Sequence, residues 1–114
     1  MFVVTAAAIV LAMPQFALAD FEARIFRYEW PQPILVEAIL SIPQLRRAVN
    51  EFGSNPGSML ILRYPGGDAG NVWAFEVRDT LIGLGIPSSD IVVEPASGQP
   101  DSIQVLVLAP KTPS

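Results

Sequence analysis

Ser58-Met59-Leu60-Ile61-Leu62-Arg63-Tyr64 is an apolar run that stops at Pro65-Gly66-Gly67-Asp68. The run is continuous rather than alternating. It predicts a strand that is central in a sheet or covered on both faces. The Pro-Gly-Gly-Asp stretch reads as a loop, and Asp68 or Asn71 is placed to cap a helix after it. Residues 70–84 carry that helix: Ala74, Val77, Leu81 and Leu84 are spaced 3, 4 and 3 apart, which is one helical face. Gly85-Ile86-Pro87 is its stop. Glycine suits the left-handed position past the last turn, Ile86 folds back onto the helix, and Pro87 blocks continuation. Ile91-Val92-Val93 is the next strand. The core of the chain is therefore a strand–helix–strand unit.

Upstream, residues 21–30 (Phe-Glu-Ala-Arg-Ile-Phe-Arg-Tyr-Glu-Trp) read as a strand that Pro31 and Pro33 end. Phe26, Tyr28 and Trp30 share one parity. They form either core under a helix or an aromatic strip that stacks on sugars. Residues 34–40 are apolar and flanked by prolines, so they form a lid over the core or an exposed docking segment. Ser41 and Gln44 have capping-box spacing, and Ile42, Leu45, Val49 and Phe52 make the stripe of a helix ended by Gly53 and the Asn55-Pro56-Gly57 turn. Downstream, residues 95–101 form a turn and residues 102–108 a last strand, with Ile103, Val105 and Val107 on one side. The predicted order is β-α-β-α-β-β. It implies two parallel crossover units and a closing antiparallel hairpin. The fold class is α/β in two layers, with two helices on one face of a four-stranded mixed sheet. The other face is solvated or docks onto something.

Residues 1–19 are of another character. An apolar stretch to Met13 leads into Pro14-Gln15 and Ala17-Leu18-Ala19 before Asp20, the pattern of a secretory signal with a small-x-small cleavage site. An uncleaved anchor is the rival reading, but the run is short against the roughly 20 apolar residues of a span. With no cysteine, lipid attachment to one is excluded. Residues 20–110 form a single domain and 111–114 a tail. The expected location is outside the cytoplasm, with no membrane insertion after cleavage.

Seven Lys and Arg against eleven Asp and Glu give a net charge of −4. That argues against nucleic acid, which needs a basic stripe; the only adjacent basic pair is Arg46-Arg47, read as a solvated helix face or, if it binds, as a site for an acidic partner. The absence of histidine and cysteine removes the usual zinc and copper ligands and the Ser-His and Cys-His nucleophile pairs. No catalytic residue, metal ligand or cofactor is assigned. A hydrolase using paired carboxylates is the one enzymatic alternative.

Two stretches carry a family resemblance. Asn55-Pro56-Gly57-Ser58 leading into the apolar run and Tyr64 is similar to a Pro-Gly, apolar strand and Tyr or His in the C-terminal OmpA-like domain of bacterial envelopes. Val77, Leu81 and Gly85-Ile86-Pro87 through Ile91 resemble the end of that family's second helix. The resemblance spans residues 21–108 and implies the family's scaffold. Members bind peptidoglycan with a Thr-Asp after the second strand and an Arg-Ala in the following helix, which hold the diaminopimelate of the stem peptide. Here Pro65-Gly66 stand in place of Thr-Asp, and Trp73 stands in place of the arginine before a matching Ala74. The resemblance thus implies a scaffold without the family's charged grip, reused for another contact.

The Gly66-Gly67-Asp68-Ala69-Gly70 loop sits where phosphate loops sit, but it has no lysine and its glycine spacing fits neither common fingerprint; turn and helix cap is the reading. The candidate partner-binding residues are Arg63, Tyr64, Asp68, Asn71 and Trp73. Arg63 and Trp73 are expected on one rim, where a flat aromatic beside a fixed charge suits protein contact. In the opposing reading Trp73 packs under the loop and Arg63 pairs with Asp68. The expected function is a non-enzymatic envelope binding or scaffold module with a protein partner. Weakened peptidoglycan binding, with Asp68 as a displaced ligand group, is the alternative.

Overall fold

The apolar run forms a strand, β2 (Met59–Tyr64), and it is central. The computed structural model describes residues 20–110; the expected signal at 1–19 and tail at 111–114 lie outside the described residues. The elements are β1 (Phe21–Phe26), a 3-10 turn at Arg27–Glu29, α1 (Val36–Leu40), α2 (Pro43–Ser54), β2, α3 (Gly67–Gly83), a 3-10 turn at Ser88–Asp90, β3 (Ile91–Pro95) and β4 (Ser102–Leu108). The sheet order is β1-β4-β2-β3. β2 pairs in parallel with β3, and β4 runs antiparallel to both β1 and β2. The two main helices lie on one face, α2 over β1 and β4, α3 over β2 and β3. This is the expected two-layer α/β fold.

The pairing differs from expectation in one respect. β3 and β4 do not form a hairpin, and β1 does not pair with β2, because β4 inserts between β1 and β2. The cause lies in the connection and in β4 itself. The Ser97 N–H donates to the Tyr64 carbonyl (3.0 Å), so the chain crosses over the end of β2. The Arg24 guanidinium then donates to the Ser97 carbonyl at 3.0 Å and to Ser102 Oγ at 2.8 Å, which ties both ends of the connection to β1. β4 buries Ile103, Val105, Leu106 and Val107, residues of both parities, which suits a strand with neighbours on both sides.

Other differences are local. β1 stops at Phe26 rather than Trp30, because the Glu29 carboxylate takes the Phe26 N–H (2.8 Å) and the Trp30 N–H turns back to the Arg27 carbonyl (3.0 Å). Phe26, Tyr28 and Trp30 therefore share no face. Trp30 enters the core, while Tyr28 is exposed and stacks on Phe26 with centroids 5.6 Å apart. The capping box at Ser41 and Gln44 is not made. Ser41 Oγ closes α1 on the Ala38 carbonyl, and Gln44 reaches Glu29 Oε2 at 3.3 Å. α2 runs through Gly53 to Ser54. α3 begins at Gly67 with Gly66 as its cap residue, so Asp68 lies inside the first turn and neither Asp68 nor Asn71 caps it.

The stop of α3 is as read. Gly85 has φ +109, the Ile86 N–H donates to the Leu81 carbonyl (3.1 Å) and the Gly85 N–H to the Ile82 carbonyl (3.0 Å). That pair of bonds is a Schellman motif. The core between the layers holds Ile25, Leu60, Leu62, Ile103, Val105 and Val107 from the sheet, against Leu45, Ala48, Trp73, Ala74, Val77 and Leu81 from the helices. Ile39 of α1 is fully buried, while Leu35 and Val36 are exposed. The segment at 34–40 thus covers the core through Ile39, with Ala38 half-buried beside it, and is exposed at Ile34–Glu37 and Leu40.

Candidate functional site

The sequence-derived residues divide between two places. Strand alternation sends Leu60 and Leu62 into the core and Met59, Ile61 and Arg63 to the opposite face. Arg63 Nε donates to Glu94 Oε2 at 2.7 Å, across the β2–β3 pair, and not to Asp68. Trp73 is 2% exposed and belongs to the core beneath α3. Arg63 and Trp73 are therefore on opposite sides of the sheet and do not form one rim.

Tyr64, Asp68, Asn71 and Trp73 remain together at the start of α3. Tyr64 is half-buried, and Asp68 and Asn71 are exposed. The carboxylate of Asp68 in the first turn suits the positive end of the helix. Gly70 is buried, and a Cβ there would come within 3.2 Å of the Pro65 ring and 3.6 Å of Tyr64; the helix meets the end of β2 this closely because position 70 has no side chain. Arg27 was not legible as a site residue. It follows the strand expected to continue, but the chain turns at Phe26 and brings its guanidinium over the Trp73 ring, 5.3 Å from the centroid. Trp73 Nε1 is buried without a hydrogen-bond partner among the described residues.

The second place is the sheet face opposite the helices. Register lines its residues into rows. One row is Arg24, Gln104, Arg63 and Glu94, across β1, β4, β2 and β3; the next is Glu22, Leu106, Ile61 and Val92; a third is Leu108 and Met59. Apolar Met59, Ile61, Leu106 and Leu108 lie on the two central strands and Val92 on the β3 edge, while the charged row crosses all four strands through Arg24, Arg63 and Glu94. Gln104 donates to Glu22 at 2.6 Å, and Arg63 holds Glu94. Leu106 is 5% exposed yet stands outside the main core, shielded by its row neighbours. Among the described residues no helix packs on this face. An antiparallel pair with one wet face alternates apolar and polar residues; β2 and β4 do not alternate, so their outward-facing apolar side chains are not accounted for by the fold.

Elsewhere, Phe21, Arg47, Asn50, Glu51 and Ser54 line an open hollow beside α2, with the Arg47 guanidinium 6.0 Å from the Phe21 ring. Arg46 donates to the Leu40 carbonyl at 3.2 Å. Among the described residues no group of three or more acidic side chains is placed to hold a metal ion, and no helix is long and apolar enough to cross a membrane. No family model, curated protein or solved structure matches the chain.

Proposed function

We propose that this chain is a non-enzymatic, exported binding or scaffold module of a bacterial cell envelope, acting through protein–protein contact on the open face of its sheet. The observation that carries this reading is the apolar centre of that face. Met59, Ile61 and Leu108 lie outward and half-buried around the buried Leu106 on the two central strands, Val92 beside them is exposed, and no helix of the described chain packs over them. Contiguous apolar surface rimmed by polar groups marks interaction sites. The rim is Glu22, Arg24, Gln104, Arg63 and Glu94. Export rests on the pattern of residues 1–19, and the envelope setting on the resemblance described above.

The test is a photo-crosslinking residue at Val92, on the open face and 37% exposed, compared with one at Val72, on α3 and 71% exposed. Protein adducts at Val92 and none at Val72 are the expected result. The absence of any protein adduct at Val92 removes the reading.

A second reading is binding of cell-wall peptide at the start of α3. It is favoured by the Arg27 guanidinium over Trp73, which brings a cation to the helix that carries Asp68 in its first turn. Zwitterionic stem peptides need one charge of each sign. Co-sedimentation with purified sacculi, lost in Asp68→Ala, would establish this reading over the first.

A further inference from the structure

We propose that the open sheet face is a two-fold interface between two copies of this chain. The inference rests on the reading of this face as a protein contact surface and adds the partner. Its basis is the order of residues within the rows. A two-fold axis parallel to the strands, passing between β4 and β2, lays β1 of one copy over β3 of the other and β4 over β2. The row Arg24, Gln104, Arg63, Glu94 then meets itself reversed. Arg24 faces Glu94 of the second copy, and Gln104 faces its Arg63. In the apolar rows Leu106 faces Ile61 and Leu108 faces Met59. Only Glu22, which falls at the rim, faces an apolar residue, Val92. Two sheets stacked with strands nearly aligned is a common packing, with layers about 10 Å apart.

The charged groups have capacity for the second contact. Glu94 uses Oε2 on Arg63 and keeps Oε1, while Arg24 uses Nη1 on Ser97 and Ser102 and keeps the rest of its guanidinium. Charge also selects the face. Arg24 and Arg63 balance Glu22 and Glu94 in the two charged rows, which leaves Asp20 at the end of the face as its one excess charge, whereas the chain as a whole carries −4. Pairing through the β1 edge is obstructed: the Glu29 carboxylate occupies the Phe26 N–H at 2.8 Å, and Gln44 reaches from α2 to the Arg24 carbonyl at 3.5 Å.

Sedimentation equilibrium of the purified exported protein, from micromolar to millimolar concentration, is the test. A dimer is expected whose dissociation constant rises by about tenfold or more in Ile61→Glu, because each two-fold contact then buries a carboxylate, and is unchanged in Val72→Glu. The chain has no cysteine of its own, so a second measurement is clean. Residues 22 and 92 lie on opposite edge strands, about 14 Å apart at the usual strand spacing, too far for a short thiol-to-thiol linker to bridge within one copy. The double variant Glu22→Cys/Val92→Cys is expected to give an interchain cross-link with a short bis-maleimide, because thiols that face each other across layers about 10 Å apart are beyond direct disulfide reach but within that of a short linker. A monomer at every concentration, a dimer indifferent to Ile61→Glu, or no interchain cross-link overturns the proposal. An adduct of Val92 with a different protein also overturns it, while leaving the contact-surface reading in place.

Discussion

The two faces of the sheet are built from the same four strands, and the two central strands give both faces apolar side chains of similar size, yet helices cover only one of them. On the helix side, Leu60, Leu62, Val105 and Val107 are fully buried under α2 and α3. On the other side, Ile61, Met59, Leu106 and Leu108 are comparable in size and apolarity, interleaved with the first set one residue at a time. What separates them is the presence of a covering layer supplied by the chain itself. Burial against that layer stabilises the fold at roughly 25 cal/mol per Å² of apolar surface. On the open face only Leu106 reaches comparable burial, among its row neighbours, while Met59, Ile61 and Leu108 stay half-buried and contribute less. The difference assigns most of the stability to the helix-covered face.

The largest effect that tests this division is in the core. Leu62→Ala removes a fully buried side chain beneath α3 and is expected to cost about 2–5 kcal/mol, the loss of transfer energy plus a cavity. Ile61→Ala, one residue away on the bare face, is expected to cost less than about 1 kcal/mol in the isolated chain. Urea denaturation of both variants at low protein concentration checks the contrast. Equal costs would mean that the two faces are equally covered.

The sequence made the helix face legible and left the bare face ambiguous, for one physical reason. Helical periodicity identifies a buried stripe, and Val77, Leu81 and the Gly85-Ile86-Pro87 stop placed α3 to within a few residues of its observed end. A strand apolar on both parities says only that both faces want cover. It does not say who supplies it, and β2 reads the same whether its second partner is a helix or another molecule. The order of strands was hidden for a related reason. A short connection suggests a hairpin, but the Ser97 contact to Tyr64 and the two bonds of Arg24 that carry the chain across β2 are long-range, and no local pattern announces them. The candidate site failed to assemble on one rim because Arg63 and Trp73 were placed by nearness to the same loop. Strand alternation puts Arg63 on the side opposite Leu62, and it pairs with Glu94.

The next test concerns how the covered face is closed at its edge. The Trp30 indole N–H donates to Glu76 Oε1 at 2.7 Å and ties the segment after β1 to the middle of α3. Trp30→Phe keeps most of the apolar bulk and removes that donor, with an expected cost of about 1.5–3 kcal/mol for a bond to a charged group. Hydrogen exchange should speed up in α3 and α1 and stay unchanged in β3. Gly85→Ala acts at the end of the same helix. Its φ of +109 is unfavourable to any side chain, although a Cβ there meets nothing within 4 Å. A cost of about 1–2 kcal/mol is expected from backbone strain alone, read as a lower urea midpoint with an unchanged slope.

The smallest effect is the most informative about the bare face. The Arg63–Glu94 pair lies there with side chains 38% and 39% exposed. A double-mutant cycle with Arg63→Ala and Glu94→Ala should give a coupling of about 0.2–1 kcal/mol in a single copy, reduced by salt. If two copies stack on this face, the pair leaves water and gains Gln104 and Arg24 of the second copy as neighbours. Its coupling then becomes stronger, less sensitive to salt, and dependent on protein concentration, since assembly stabilises by mass action. Running the cycle at a low and a high concentration therefore separates the two states of the face without any assumption about the size of the complex. Coupling that is identical at both concentrations and equally screened by salt means that the pair stays in water and that the face is bare in the assembled protein as well.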